Sequence, residues 1–222
     1  MWQERVRSIL VRKWTKPLLF LLCLVPLVLI AAPFFTGATI PDPAAFIQHS
    51  TGDWILRLLC ITLAITPTRK ILALPELIRF RRTLGLFAFF YACLHFFTYI
   101  GFDKLFDLSE IWKDVAKRRY ITVGFLAFLL LIPLAITSTA GWVRRLGGRR
   151  WQMLHRAIYV AAVCGVIHYY WLVKSAVIRP LAYGALVTLL LGWRLRRWLS
   201  QRAAIASPET SSLRARANAP ER

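Results

Sequence analysis

Charge is scarce in this chain, and acid is scarcer still: 18% of its 222 residues are charged, and only 10 are Asp or Glu. An ordinary soluble domain carries about 25% charged residues. The shortage argues against a soluble enzyme and against a disordered protein. Cysteine is equally sparse. Cys23, Cys60, Cys93 and Cys164 stand singly in apolar surroundings, with no C-x-x-C and no C-x-x-C-H. That removes a zinc ribbon, a thioredoxin-like pair, a covalently attached c-type haem and a disulfide-stapled secreted domain. Internal repeats and a phosphate-cradling glycine loop are missing as well.

What is present is apolar surface. Hydrophobic residues make up 58% of the chain and aromatics 14%, with a mean hydropathy of +0.53, a balance that suits lipid rather than water. Residues 17–35 hold no charge and are long enough to cross ~30 Å of hydrocarbon at ~1.5 Å per residue. Ala31-Ala32 resembles a signal cleavage site, but Pro33 follows directly and the run is too long for a signal peptide. Thr83–Phe102, Tyr120–Val143 and Ala157–Val173 are three further spans. Two weaker ones cover Trp54–Thr66, with Arg57 inside, and Pro180–Trp193, flanked by Arg179 and Arg194. The expectation is an all-α integral membrane protein, a six-helix transmembrane bundle.

The net charge of +20 would suggest nucleic acid in a soluble protein. Here the basic residues cluster between apolar runs, so no nucleic-acid partner is expected. With six spans, 22 of the 30 Lys and Arg fall on the side that holds both termini and seven on the other. Positive charge resists export, which puts both termini in the cytoplasm. The chain then divides into a basic cytoplasmic N-terminus (1–16), a transmembrane domain (17–200) and a disordered cytoplasmic tail (201–222), the disorder read from the Ser, Ala, Arg and Pro of Ser207–Arg222. Between the third and fourth spans, Leu105, Leu108, Trp112 and Val115 recur at helical spacing, with acids leading and bases trailing. This predicts an interfacial helix over Asp103–Arg119, either a cap on the membrane surface or a dock for a periplasmic partner. Gly147-Gly148 marks a turn in an arginine-rich loop.

Of four histidines, His49 falls in an outer loop and reads as solvated, while His95, His155 and His168 lie in or beside spans. Ionisable groups inside a membrane are costly and point to function. Counted from the inner face, His95 on the third span lies ~20 Å deep, His168 on the fifth ~25 Å, and His155 on that same helix ~6 Å. His95 and His168 therefore meet, and His155 cannot share their ligand. Two imidazoles at one depth suit the axial ligation of a b-type haem. Gly85, Ala88, Ala92, His95 and Tyr99 fall on one stripe, and Ala161 and Gly165 lie near His168, leaving room for a porphyrin or, equally, for close helix packing. A proton relay would call for buried acids and zinc for more ligands. Structural histidines and a transporter or scaffold role stay open.

Four stretches together carry a resemblance: RTLGLFAFFYACLHFFTYIGFD at 82–103, LAITPTRK at 63–70, KRRYITVGFLAFLLLIPLAITS at 117–138 and RRWQMLHRAIYVAAVCGVIHYYW at 149–171. The chain resembles the MsrQ (YedZ) family over roughly residues 10–200. These are haem-binding membrane subunits of the periplasmic protein-methionine-sulfoxide reductase system, within the ferric-reductase-like transmembrane superfamily. The resemblance implies a multi-pass protein of the bacterial inner membrane that takes electrons from the quinone pool, or from a cytoplasmic flavin reductase, and passes them through haem b. The acceptor it implies is a periplasmic molybdopterin reductase, MsrP, which performs the sulfoxide chemistry and so repairs oxidised envelope proteins. FMN is a second implied cofactor, with Arg69, Arg81, Arg82, Arg149, Arg150 and Arg156 near its expected entry side. His95, His155 and His168 carry over as cofactor-binding residues. His95 and His168 are the axial pair, and His155 is a possible ligand of a second centre. The superfamily's inner partner for His155 is missing here, and with no nicotinamide domain in the chain direct NAD(P)H oxidation is not expected.

Overall fold

In hydrocarbon a backbone must satisfy its own hydrogen bonds, and a helix does so within one segment. The computed structural model, which describes residues 2–173 and 175–206, meets that demand with helices and no strand among the described residues. Among the described residues nine α-helices follow in order: α1 (Trp2–Val11), α2 (Thr15–Phe35), α3 (Pro43–Ile71), α4 (Arg81–Thr98), α5 (Leu108–Lys117), α6 (Arg119–Ile136), α7 (Ala140–Leu154), α8 (Ala157–Leu172) and α9 (Ile178–Ala206). A 3₁₀ segment, Pro75–Phe80, leads into α4, and a π-helical turn, Tyr99–Asp103, ends it. Thr15–Phe35, Pro75–Asp103 and Arg119–Ile136 are long and apolar enough to cross a membrane, and Ala157–Leu172 is a shorter apolar helix. Leu21, Val28, Leu29 and Phe35 of α2 stand exposed, as side chains facing lipid do.

Helices α3, α4, α6 and α8 form the central group: α3 packs along α4, α6 along α8, and α4 meets α6. Helix α9 closes against α3 and α8. Helix α2 lies outside α4 and is tied to it by the Tyr91 hydroxyl, which donates to the Cys23 carbonyl at 2.8 Å. Leu59, Leu63, Ala88, Tyr91, Ala161 and Ala162 form the buried centre of this group. Arg57, the charge inside α3, is not isolated. It pairs with Asp53 one turn earlier at 3.5 Å and reaches the Tyr183 hydroxyl on α9 at 3.3 Å.

Several expectations are corrected. The weak span at Trp54–Thr66 is the middle of a 29-residue helix, α3, capped by Asp42, whose side chain accepts from the Ala45 N–H. His49 therefore sits on a helix, not in a loop. The apolar run 120–143 is two elements. Helix α6 ends at Ile136, the Thr137 and Ser138 hydroxyls turn back onto the Pro133 and Leu134 carbonyls, and Thr139 caps α7. His155 and His168 do not share a helix, because the chain breaks at His155-Arg156 between α7 and α8. Helix α9 runs to Ala206, so the tail expected from residue 201 is helical in its first six residues. Ser207–Arg222, the stretch read as disordered, lies outside the described residues. The turn at Gly147 is present, with φ 73°, and the interfacial stretch contains α5, capped by the Asp107 carboxylate on the N–H groups of Ser109 and Glu110.

Candidate functional site

A cavity of about 600 Å³ opens between α3, α4, α6 and α8, a volume within the ~300–1,000 Å³ of small-molecule and cofactor sites. Its walls are mostly apolar, with Leu56, Leu59, Phe96, Phe125, Phe128 and Leu131 among them. His95 enters from α4 and His168 from α8, and their ring centres stand 6.1 Å apart with the planes at 89°.

Each imidazole is oriented by a backbone carbonyl. The Nδ1–H of His95 donates to the Gln48 carbonyl at 3.0 Å, with the Thr51 hydroxyl oxygen at 3.3 Å. The Nδ1–H of His168 donates to the Tyr120 carbonyl at 2.7 Å. A carbonyl only accepts, so the proton is on Nδ1 in both rings. Nε2 keeps its lone pair, and neither ring's Nε2 has a protein partner among the described residues. A hydrogen bond from the other ring nitrogen to a carbonyl is what fixes the tautomer of a metal-ligating histidine. Two imidazole–metal bonds of about 2 Å, with half a ring behind each, span roughly 6 Å, which matches the separation found. The donor set is two neutral nitrogens in an apolar enclosure, and it fits the axial positions of a haem.

Glycine stands over both of these carbonyls, and at one of them the ring needs it. A helical side chain covers the turn preceding its own Cα, so a residue at i shields the carbonyl at i−4. At the two carbonyls used here, that residue is glycine: Gly52 follows Gln48 by four, and Gly124 follows Tyr120 by four. A Cβ on Gly52 would lie 3.5 Å from Cε1 of His95, and one on Gly124 would lie 2.5 Å from Nδ1 of His168. Neither glycine was singled out from the sequence. Their signal is a glycine within an apolar helix, which marks a close approach without saying to what.

The small-residue stripe of α4 divides. Ala92, His95 and Tyr99 line the cavity, whereas Ala88 is fully buried in the core and Gly85 faces the Thr62 methyl of α3. Ala161 and Gly165 line the cavity from α8, as expected. His49 is exposed but stands at the cavity rim.

The structure does not bring His155 to this pair. Its ring stacks on Trp151, with centroids 3.9 Å apart, and its Nε2 meets the Thr137 hydroxyl at 3.0 Å. Trp151 Nε1–H in turn donates to the Thr137 carbonyl at 2.9 Å, fastening α7 to the end of α6. Burial, then the charge of Arg81, pull the imidazole down to about 4. Arg194, expected only as a flank of the sixth span, turns into the fold. Arg194 donates to the Tyr159 hydroxyl at 2.7 Å and the Leu63 carbonyl at 2.6 Å. Among the described residues no group of three or more His, Cys, Asp or Glu could hold a bare metal ion.

Comparison with known proteins decides the family. Residues 51–166 match the family of the ferric reductase like transmembrane component. The protein-methionine-sulfoxide reductase heme-binding subunit MsrQ of Herminiimonas arsenicoxydans is 53% identical over 178 residues, 79% of this chain and 82% of the relative. Its counterpart in Caulobacter vibrioides is 47% identical over 86% of this chain and 90% of its own. The chain belongs to the MsrQ family. Another member, from Polaromonas naphthalenivorans, is 41% identical and covers 93% of this chain, so the likeness to MsrQ proteins runs through the helices that frame the cavity and on into the flanking ones.

Proposed function

We propose that this protein is the haem b-containing electron-transfer subunit of a methionine-sulfoxide reductase system. One observation carries the reading: two imidazoles with free Nε2 atoms, their ring centres 6.1 Å apart in an apolar cavity. The relatives' printed description as heme-binding subunits supports it. His95 and His168 would hold the haem iron, and the Gln48 and Tyr120 carbonyls keep both rings in the required tautomer. Held by two imidazoles, a haem would supply one-electron transfer. Around it, Phe96, Phe125, Phe128 and Leu131 exclude water, and exclusion of water tunes a redox centre. His155 is outside this pair. As a ligand of a second, inner centre it would first have to release Thr137.

The reading continues outward. Six spans with both termini cytoplasmic place the cavity's polar rim and α5 at the periplasmic face of an inner membrane, and the basic clusters support that orientation. Electrons would enter from the cytoplasmic half, from the quinone pool or a cytoplasmic flavin reductase. FMN belongs to the same half, where Arg69, Arg81 and Arg194 crowd together without an acidic partner among the described residues. They would leave to a periplasmic molybdopterin reductase, MsrP, which acts on the sulfoxide. Purified His95→Ala and His168→Ala are each expected to lose the reduced b-type absorbance of this centre. Wild-type haem content in both would sink the assignment. Deleting the gene is expected to abolish periplasmic sulfoxide repair, whereas a cytochrome serving another reductase would leave repair intact.

A further inference from the structure

The cavity has one charged end. Its only Lys and Arg among the described residues are Lys104 and Arg118, both at the outer rim. They share a single carboxylate: Lys104 Nζ stands 2.6 Å from Oδ2 of Asp114 and Arg118 Nε 3.2 Å from Oδ1, while the Tyr99 hydroxyl donates to Oδ2 at 3.3 Å. The Lys104 side chain is 14% exposed and that of Asp114 11%. Asp53 and Asp103 line the cavity as well, but Asp53 pairs with Arg57 and Arg179 and Asp103 accepts from Gln48 Nε2 at 2.7 Å, so Lys104 and Arg118 are the cations that face an apolar chamber, where charge is costly unless matched.

The chain accepts strain to put Lys104 there. Leu105 and Phe106 take left-handed backbone angles, φ 47° and 63°, which residues bearing a Cβ adopt only under strain. The turn closes with the Phe106 N–H on the Ile100 carbonyl at 3.0 Å and the Asp107 N–H on the Lys104 carbonyl at 2.8 Å. Asp107 then caps α5, which carries Asp114 onto Lys104.

We propose that Lys104 and Arg118 receive the two propionate carboxylates of the haem, with Asp114 holding both cations at the rim. This rests on the haem reading above and adds the cofactor's orientation. A haem is apolar except for one edge that bears two carboxylates. Carboxylates are not buried without partners, and the rim between α4, α5 and α6 is the cavity's only end with Lys or Arg among the described residues. The propionate edge therefore faces outward, beneath α5.

The test uses the full chain in detergent, reconstituted in parallel with haem b and with haem b dimethyl ester, whose carboxylates are neutral. The readouts are the rate of haem transfer to apomyoglobin and the midpoint potential. Wild-type protein is expected to lose the ester faster than haem b by at least about tenfold, the scale of a charge-assisted hydrogen bond. In Lys104→Gln/Arg118→Gln, haem b is expected to leave as fast as the ester, the ester's own rate to stay unchanged, and the potential with haem b to fall. Lys104→Arg should restore retention. Equal retention of both haems by the wild type overturns the proposal, as does a double variant that loses haem b and ester equally faster than wild type, because that marks a purely structural role. If His95→Ala and His168→Ala keep their b-type spectra, the haem reading itself fails. If they lose them while the ester comparison shows no difference, only the orientation falls.

Discussion

A Cβ built on Gly124 would lie 2.5 Å from Nδ1 and 2.9 Å from Cε1 of His168. In an exposed helix, Gly→Ala gains about 1 kcal/mol. At this position the methyl would displace the imidazole from the Tyr120 carbonyl, so Gly124→Ala is expected to lose most of its bound haem, measured as haem per protein. Gly52→Ala is the contrast. Its Cβ meets His95 at 3.5 Å, an ordinary contact, and wild-type haem content is expected. If both variants retain haem equally, the carbonyl device is refuted. His155 makes a different residue-scale prediction. Its imidazole is held down at about 4 by burial and then by Arg81, against about 6.5 when unfolded. The folded state thus binds fewer protons, and stability is lost as pH falls from about 6.5 toward 4. His155→Ala is expected to flatten this dependence in thermal melts and to keep the absorbance due to His95 and His168. Loss of that absorbance would show the sites to be coupled. The pairing of His95 with His168 was legible because depth along a helix is linear in residue number. The separation of His155 was legible as well, but its setting was not: the break at His155-Arg156 contains neither glycine nor proline.

Among the elements, α5 shows both what pattern reveals and what it hides. Its acids lead and its bases trail, so a helix was readable. That Asp114, one acid among several, would be the buried one depends on the left-handed turn at Leu105-Phe106, which no turn residue announces. Burial alone would raise the Asp114 carboxyl, but Lys104, Arg118 and Tyr99 outweigh it and hold it below the usual carboxylate range. Its contribution is fully present above about pH 4, the ordinary carboxylate value, and is lost as pH falls through the depressed folded value. Asp107→Ala removes the side-chain acceptor for two N–H groups and is expected to cost about 1 kcal/mol. Faster hydrogen exchange confined to residues 107–117 would be the sign; unchanged exchange would mean that packing on α6 alone holds the helix. The weak spans failed at their ends for a related reason. Arg57 and Arg194 break the hydropathy of α3 and α9, yet each finds partners inside the fold, Asp53 and Tyr183 for one, Leu63 and Tyr159 for the other.

For the whole molecule, the proposed orientation rests on charge. Of 30 Lys and Arg, 22 fall in the segments that share a side with both termini in a six-span arrangement. Basic residues flanking spans resist export, and the opposite orientation would export most of them. In the proposed orientation the cavity would open toward the periplasm, because its charged rim lies with α5 in the connection after α4. Green fluorescent protein fused after Arg222 is therefore expected to fluoresce, and alkaline phosphatase inserted in the turn at Gly37–Pro41, between α2 and α3, to be active. The reverse pattern would overturn the direction of electron flow as well as the orientation. On that proposal, two histidines in the outer half would suffice for an exit but not for an entry. The charged rim would be at the periplasmic end of the site, with the Leu59, Leu63, Ala88 and Tyr91 core filling the other half. A donor at the cytoplasmic face must then deliver across that packed layer or through a second centre, and a haem-per-protein ratio of one or two measured on wild type, then on His155→Ala, separates those routes.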